Sequence, residues 1–236
     1  MTETSGDHWQ SLYKIGACLL IVSAVFIVAE SVLAAVLSNG FAPSTVAGQG
    51  WVAIVDYIGS NAMLYNADYV LLTLSVLTFL PAVLALYLAL RRTDASLSLL
   101  GSAFAISGII IVLSNVSLQF FEVQEAQVWD NGCTICGNAP IEAAAGMPAA
   151  FTAEMLASLL ILLGVLILSV VMLKGTAFRV SGYLGVLAFI VGIVVSFVSL
   201  PGVAGAWQGV VPFVFLALWA VSLSPRLYKL PPIPES

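Results

Sequence analysis

Six apolar stretches account for most of this chain, and every lysine and arginine falls beside them on one side only. A membrane-spanning helix needs about 20 predominantly apolar residues. The stretches 15–37, 69–90, 97–121, 149–173, 180–200 and 203–223 satisfy that requirement. Lys14 precedes the first, and Arg91 and Arg92 follow the second. Lys174 and Arg179 lie between the fourth and fifth, and Arg226 and Lys229 follow the sixth. The segments after the first, third and fifth carry no basic residue. Cytoplasmic loops retain Lys and Arg, so the expected protein is all-α and polytopic, with six transmembrane helices and both termini cytoplasmic.

Composition agrees with that reading. The chain is 61% apolar and only 8% charged, whereas soluble domains carry about 25% charged residues. Six spans leave no room for a soluble domain within 236 residues, so residues 1–236 are read as one membrane domain in the plasma membrane. Its last part, 225–236, is expected to be a Pro-rich cytoplasmic tail. The lipid bilayer is the expected environment. A net charge of −5 without a basic stripe excludes nucleic acid as a partner. At about 23 residues the first stretch exceeds the 7–15 of a signal-peptide core, so it is expected to be an uncleaved span despite the Val-x-Ala pattern at Val32 and Ala34.

Within the first outer segment, Trp51, Ile54, Val55 and Ile58 fall on one helical face, which predicts a short helix lying in the membrane interface. Pro81 and Pro212 are expected to kink spans 2 and 6. The short polar turn at 91–96 makes spans 2 and 3 antiparallel neighbours. On span 5, Ser181, Gly185, Ala188, Gly192 and Ser196 form a small-residue face that permits close backbone approach in lipid; packing inside the bundle is favoured over a dimer face.

Ionisable groups inside a bilayer are costly, at about 2.5–3.5 kcal/mol near the centre on insertion scales. Glu30 lies about 24 Å of helical rise beyond Lys14, in the outer third of the membrane. Glu154 and Asp68 begin spans 4 and 2, and Asn115, Gln119 and Glu122 form one polar stripe at the outer end of span 3. Glu30, Asp68, Glu122 and Glu154 thus converge on the outer half from four helices. One reading is an acidic vestibule, with Glu30, Asn115, Gln119, Glu122 and Glu154 as candidate cavity residues, attracting cations or a hard divalent ion. The other is that Asp68, Glu122 and Glu154 sit at headgroup level, with Asp68 and Glu154 favoured at helix N-termini, while Asn115 and Gln119 make interhelical hydrogen bonds.

Cys133 and Cys136 form the one compact motif. A lone CxxC offers two thiols where structural zinc needs four ligands, and His8 lies across the membrane. An oxidising exterior favours a local disulfide between them; a redox pair is the alternative. No span contains a lysine for a retinal Schiff base, and a single histidine supplies neither bis-His haem ligation nor a HExxH zinc site. No catalytic residues, metal site or cofactor are therefore expected.

Several strings give the chain a familiar cast. They are Trp9-Gln10-Ser11-Leu12-Tyr13-Lys14-Ile15-Gly16, Leu84-Ala85-Leu86-Tyr87-Leu88-Ala89-Leu90-Arg91-Arg92, Ser96-Leu97-Ser98-Leu99-Leu100-Gly101 and Phe178-Arg179-Val180-Ser181-Gly182-Tyr183-Leu184-Gly185. With them the chain resembles, over nearly its whole length, the six-span bacterial and archaeal membrane proteins grouped as domain of unknown function 4386. The resemblance implies fold and topology and carries no catalytic residues. The leading functional expectation is a non-enzymatic accessory or scaffolding membrane component that contacts a membrane-protein partner or its own copies. The alternatives are a transporter or channel for a cation or small solute through the acidic cavity, and a thiol oxidoreductase using Cys133 and Cys136.

Overall fold

The computed structural model describes residues 5–40, 51–130, 139–197 and 206–230. Among them the regular structure is entirely helical: α1 (Ser5–Gly40), α2 (Trp51–Ser60), α3 (Ala62–Leu90), α4 (Ala95–Asp130), α5 (Ala139–Lys174), α6 (Arg179–Phe197) and α7 (Ala206–Tyr228). Helices suit a bilayer because each satisfies its own backbone hydrogen bonds where no water is available. Five segments are long and apolar enough to cross one, namely Gln10–Leu37, Ala62–Leu90, Ala95–Val128, Thr152–Lys174 and Val211–Tyr228. The apolar part of α6, Arg179–Val195, is shorter than these five. The chain is a multi-pass, all-helical membrane protein.

Several helices outrun the expected spans. α4 continues to Asp130, past the expected end at 121. Hydropathy falls where Glu122, Gln124, Glu125 and Gln127 enter, but Glu, Gln and Ala are strong helix formers. The extension also gives α2 a surface: Val55, fully buried, packs with Ala126, and Ile58 covers them. A short helix does form over Trp51–Ser60, and Val55 and Ile58 of its apolar stripe are turned onto α4. Tyr57 Oη further ties α2 to α1 by donating to Leu37 O at 2.9 Å. α7 runs through Pro225 to Tyr228, into the segment read as tail. There Leu223 and Leu227 are fully buried and Ser224 Oγ donates to Ala17 O at 2.8 Å. Packing on α1 thus carries the helix past its proline. Cys133 and Cys136 lie outside the described residues.

The six long helices close into a ring. α1 packs on α3, α3 on α4, α4 on α5, α5 on α6, α6 on α7, and α7 returns to α1. Interhelical hydrogen bonds such as Ser23 Oγ to Ser75 O, 3.0 Å, and Ser222 Oγ to Ser181 Oγ, 2.9 Å, contribute about 0.6 kcal/mol each in membranes. Close packing therefore has the larger share. A methyl group added at Gly164 would come within 2.6 Å of Gly101 O and 2.7 Å of Ala105 N, and one at Gly108 within 2.6 Å of Ala157 O. Glycine is required at these α4–α5 crossings by the approach of backbone to backbone. The small-residue face of α6 is likewise used inside the bundle, with Gly185 against Ser169 and Trp219 and Gly192 against Leu162.

The basic residues gather at one end of the ring. Asp94 Oδ2 pairs with Lys174 Nζ at 2.7 Å, and Asp94 Oδ1 accepts from Leu97 N at 3.0 Å, capping α4. Arg226 Nη1 donates to Ala177 O at 3.0 Å. Lys14 Nζ stands 5.9 Å from the Tyr228 ring centroid, and Tyr13 lies within electrostatic reach of Arg91 and Arg92. The half of the ring nearest this end is filled: Leu20, Ala82, Leu86, Trp219, Leu223 and Leu227 are all fully buried.

Candidate functional site

The other half of the ring is hollow. A cavity of about 480 Å³ opens there, with walls contributed by all six long helices. The volume falls within the about 300–1,000 Å³ usual for small-molecule sites. α1 supplies Ile27 and Glu30, α3 Leu72, Ser75, Val76 and Phe79, and α4 Val112. α5 lines one side from Thr152 to Leu162, and Ile193, Pro212, Phe213 and Leu216 complete the wall. The Phe79 ring, at the floor, meets Trp219 edge-on with centroids 6.2 Å apart, so the hollow ends where the filled half begins.

Two carboxyl groups line this mostly apolar space, Glu30 and Glu154. Glu30 is only 8% exposed, and its Oε2 accepts from Ser31 Oγ at 3.4 Å. Ser31 Oγ also donates to Ile27 O at 2.7 Å, which fixes the hydroxyl against its own helix. Glu154 Oε2 accepts from Gln119 Nε2 of α4 at 3.3 Å. Gln119 is itself 5% exposed, and its Oε1 is buried with no donor among the described residues.

Asp68, at the start of α3, is 9% exposed, with Oδ1 unpartnered among the described residues. It lies within Coulombic reach of both Glu30 and Glu154. Glu122 is buried behind Gln119 on the α4 stripe, with Oε1 unpartnered among the described residues, and reaches the Tyr69 hydroxyl electrostatically. Tyr69 packs edge-on against Phe120, centroids 5.8 Å apart, and lies tilted against Tyr65 at 6.4 Å.

Of the candidate cavity residues, then, Glu30 and Glu154 line the hollow and Gln119 is bonded to Glu154. Asn115 and Glu122 are buried on the same α4 face without lining it. Gln119 does make the interhelical bond expected of it. Among the described residues no group of three His, Cys, Asp or Glu side chains is placed to hold a metal ion.

The sequence reading missed the apolar lining. Leu72, Ser75, Val76 and Phe79 recur at i, i+3, i+4 and i+7, one face of a helix. Because α3 is apolar all round, that spacing did not separate the inward face from the lipid-facing one. An apolar chamber with two carboxyls on its wall can take a molecule that pairs a hydrophobic body with a positive charge. No protein-family model, no curated protein and no solved structure matches this chain.

Proposed function

We propose that the protein is a six-span carrier, with both termini cytoplasmic, whose outward cavity loads a small amphipathic organic cation. The observation carrying this reading is the pair Glu30 and Glu154, set from two different helices into a chamber of about 480 Å³ that is otherwise lined mainly by aliphatic and aromatic side chains. Buried carboxylates are retained in a membrane where they serve a pathway or a ligand, and pairing with a cation is what offsets their desolvation. A molecule lacking the charge would leave two carboxyls unmatched, and a simple metal ion would leave the apolar wall unused.

Closure of the basic end favours a carrier over an open channel. The filled half of the ring, from Leu20 to Leu227, blocks a continuous pore in this conformation. The uniform placement of Lys and Arg orients that half toward the cytoplasm. For α6 to cross as the fifth of six spans, its hydrophobic run must continue to about residue 200. The small-residue face of α6 packs inside the bundle, as the sequence favoured, so this reading asks no partner of it. Kinship with the family of domain of unknown function 4386 is part of the proposal and rests on the strings quoted above. Those strings lie toward the basic end, away from the cavity.

Calorimetry on protein in lipid nanodiscs tests the reading, with benzyltrimethylammonium as the probe. Saturable binding is expected, weakened at least tenfold in Glu30→Gln and in Glu154→Gln, and proteoliposomes preloaded with the probe should show counterflow. Absence of binding to the folded wild-type protein would overturn the proposal.

A further inference from the structure

Among the described residues, the acidic end holds several buried hydrogen-bond acceptors and no basic side chain. The titratable groups facing Glu30 are Asp68 from α3 and Glu154 from α5. Glu122 of α4 stands behind them beside Tyr69, with Tyr65 and Asp68 on the same helix. The described parts of α6 and α7 bring none: their charged residues, Arg179 and Arg226, are at the opposite end. Lys14, Arg91, Arg92 and Lys174 are at that end too, so no described lysine or arginine stands near the cluster. Within it, Asp68 Oδ1, Gln119 Oε1 and Glu122 Oε1 are buried acceptors with no donor among the described residues.

Several negative charges in a low-dielectric site without a counter-cation would repel one another at a cost of several kcal/mol. Electroneutrality is restored either by a bound cation or by protons. From this we infer that the cavity exchanges its cation for a proton: without a cation the carboxyls of Glu30, Asp68 and Glu154 are held protonated, and an entering monovalent organic cation displaces one of these protons. The step balances as written. One O–H bond of a carboxyl breaks, the proton leaves to water at the acidic end, and the carboxylate left behind pairs with the cation, so the net charge of the site is unchanged. Proton and cation compete for the same carboxylates and are never both lost together, the condition for coupling one flux to the other.

This inference rests on the cavity being a cation-loading site, and one measurement separates the two. Benzyltrimethylammonium has no dissociable proton, so any proton released on binding comes from the protein. Titrating the wild-type protein in lipid nanodiscs with this probe, in buffers of different ionisation enthalpy, counts the protons released. Release of about one proton per probe bound is expected, with affinity falling about tenfold per pH unit on the acid side as one proton competes. Binding with no proton release and no pH dependence would overturn the exchange and leave the loading site standing. No binding at all would remove both.

Discussion

Asp94 illustrates how one side chain orders the basic end. Its carboxyl accepts from Lys174 and from the first-turn N–H of Leu97, and these two bonds hold it below the usual carboxylate range. Stabilisation from a lowered carboxyl is fully present above its ordinary value of 3.8 and is lost as pH falls through the lower folded value. Asp94→Asn retains a capping side chain but loses the ion pair. Its melting temperature in detergent should lie below that of the wild type at neutral pH and converge with it in strong acid. At the cavity, Gln119→Leu removes the donor to Glu154 and should weaken binding of benzyltrimethylammonium several-fold with little change in thermal stability; calorimetry reads the first and a melting curve the second. The stripe of Asn115, Gln119 and Glu122 was legible from its spacing. The Gln119–Glu154 bond was not, because it depends on the register of two helices whose apolar surfaces carry no distinguishing pattern.

At the scale of elements, the α4–α5 pair is the tightest joint. Gly101, Ala105 and Gly108 on α4 meet Ala157, Ile161 and Gly164 on α5, and the two nearest atoms facing Gly164 are backbone. Overpacking such a contact costs about 1–3 kcal/mol. Gly164→Ala should therefore lower the melting temperature by several degrees. Gly175→Ala, whose added methyl would meet nothing closer than 3.7 Å, should leave it nearly unchanged. The spacing of Gly101, Ala105 and Gly108 was present in the sequence but was overlooked in favour of the comparable face on α6. Helix ends were the least legible feature. Polar residues after 121 and Pro225 read as boundaries, yet packing on α2 and on α1 carries both helices further.

For the whole molecule, the number and spacing of apolar stretches gave the helical class and chain order, and charge asymmetry gave the two chemically distinct ends. The closure of six helices into a ring, filled at one end and hollow at the other, was not legible. It depends on which faces of nearly uniform helices meet. Residues such as Ser75 and Phe79, or Ser158 on α5, acquire their place on the cavity wall only through that closure. The central claim is that this hollow is a cation site reached from outside the cell. Its most direct test is thiol protection in cells expressing a chain whose Cys18, Cys133 and Cys136 are replaced by serine and which carries Ser158→Cys. A membrane-impermeant thiol reagent should modify that cysteine, benzyltrimethylammonium should slow the reaction, and Ser102→Cys in the filled half should stay unmodified. Modification of Ser158→Cys at the same rate with and without the cation, or no modification at all, would contradict the account.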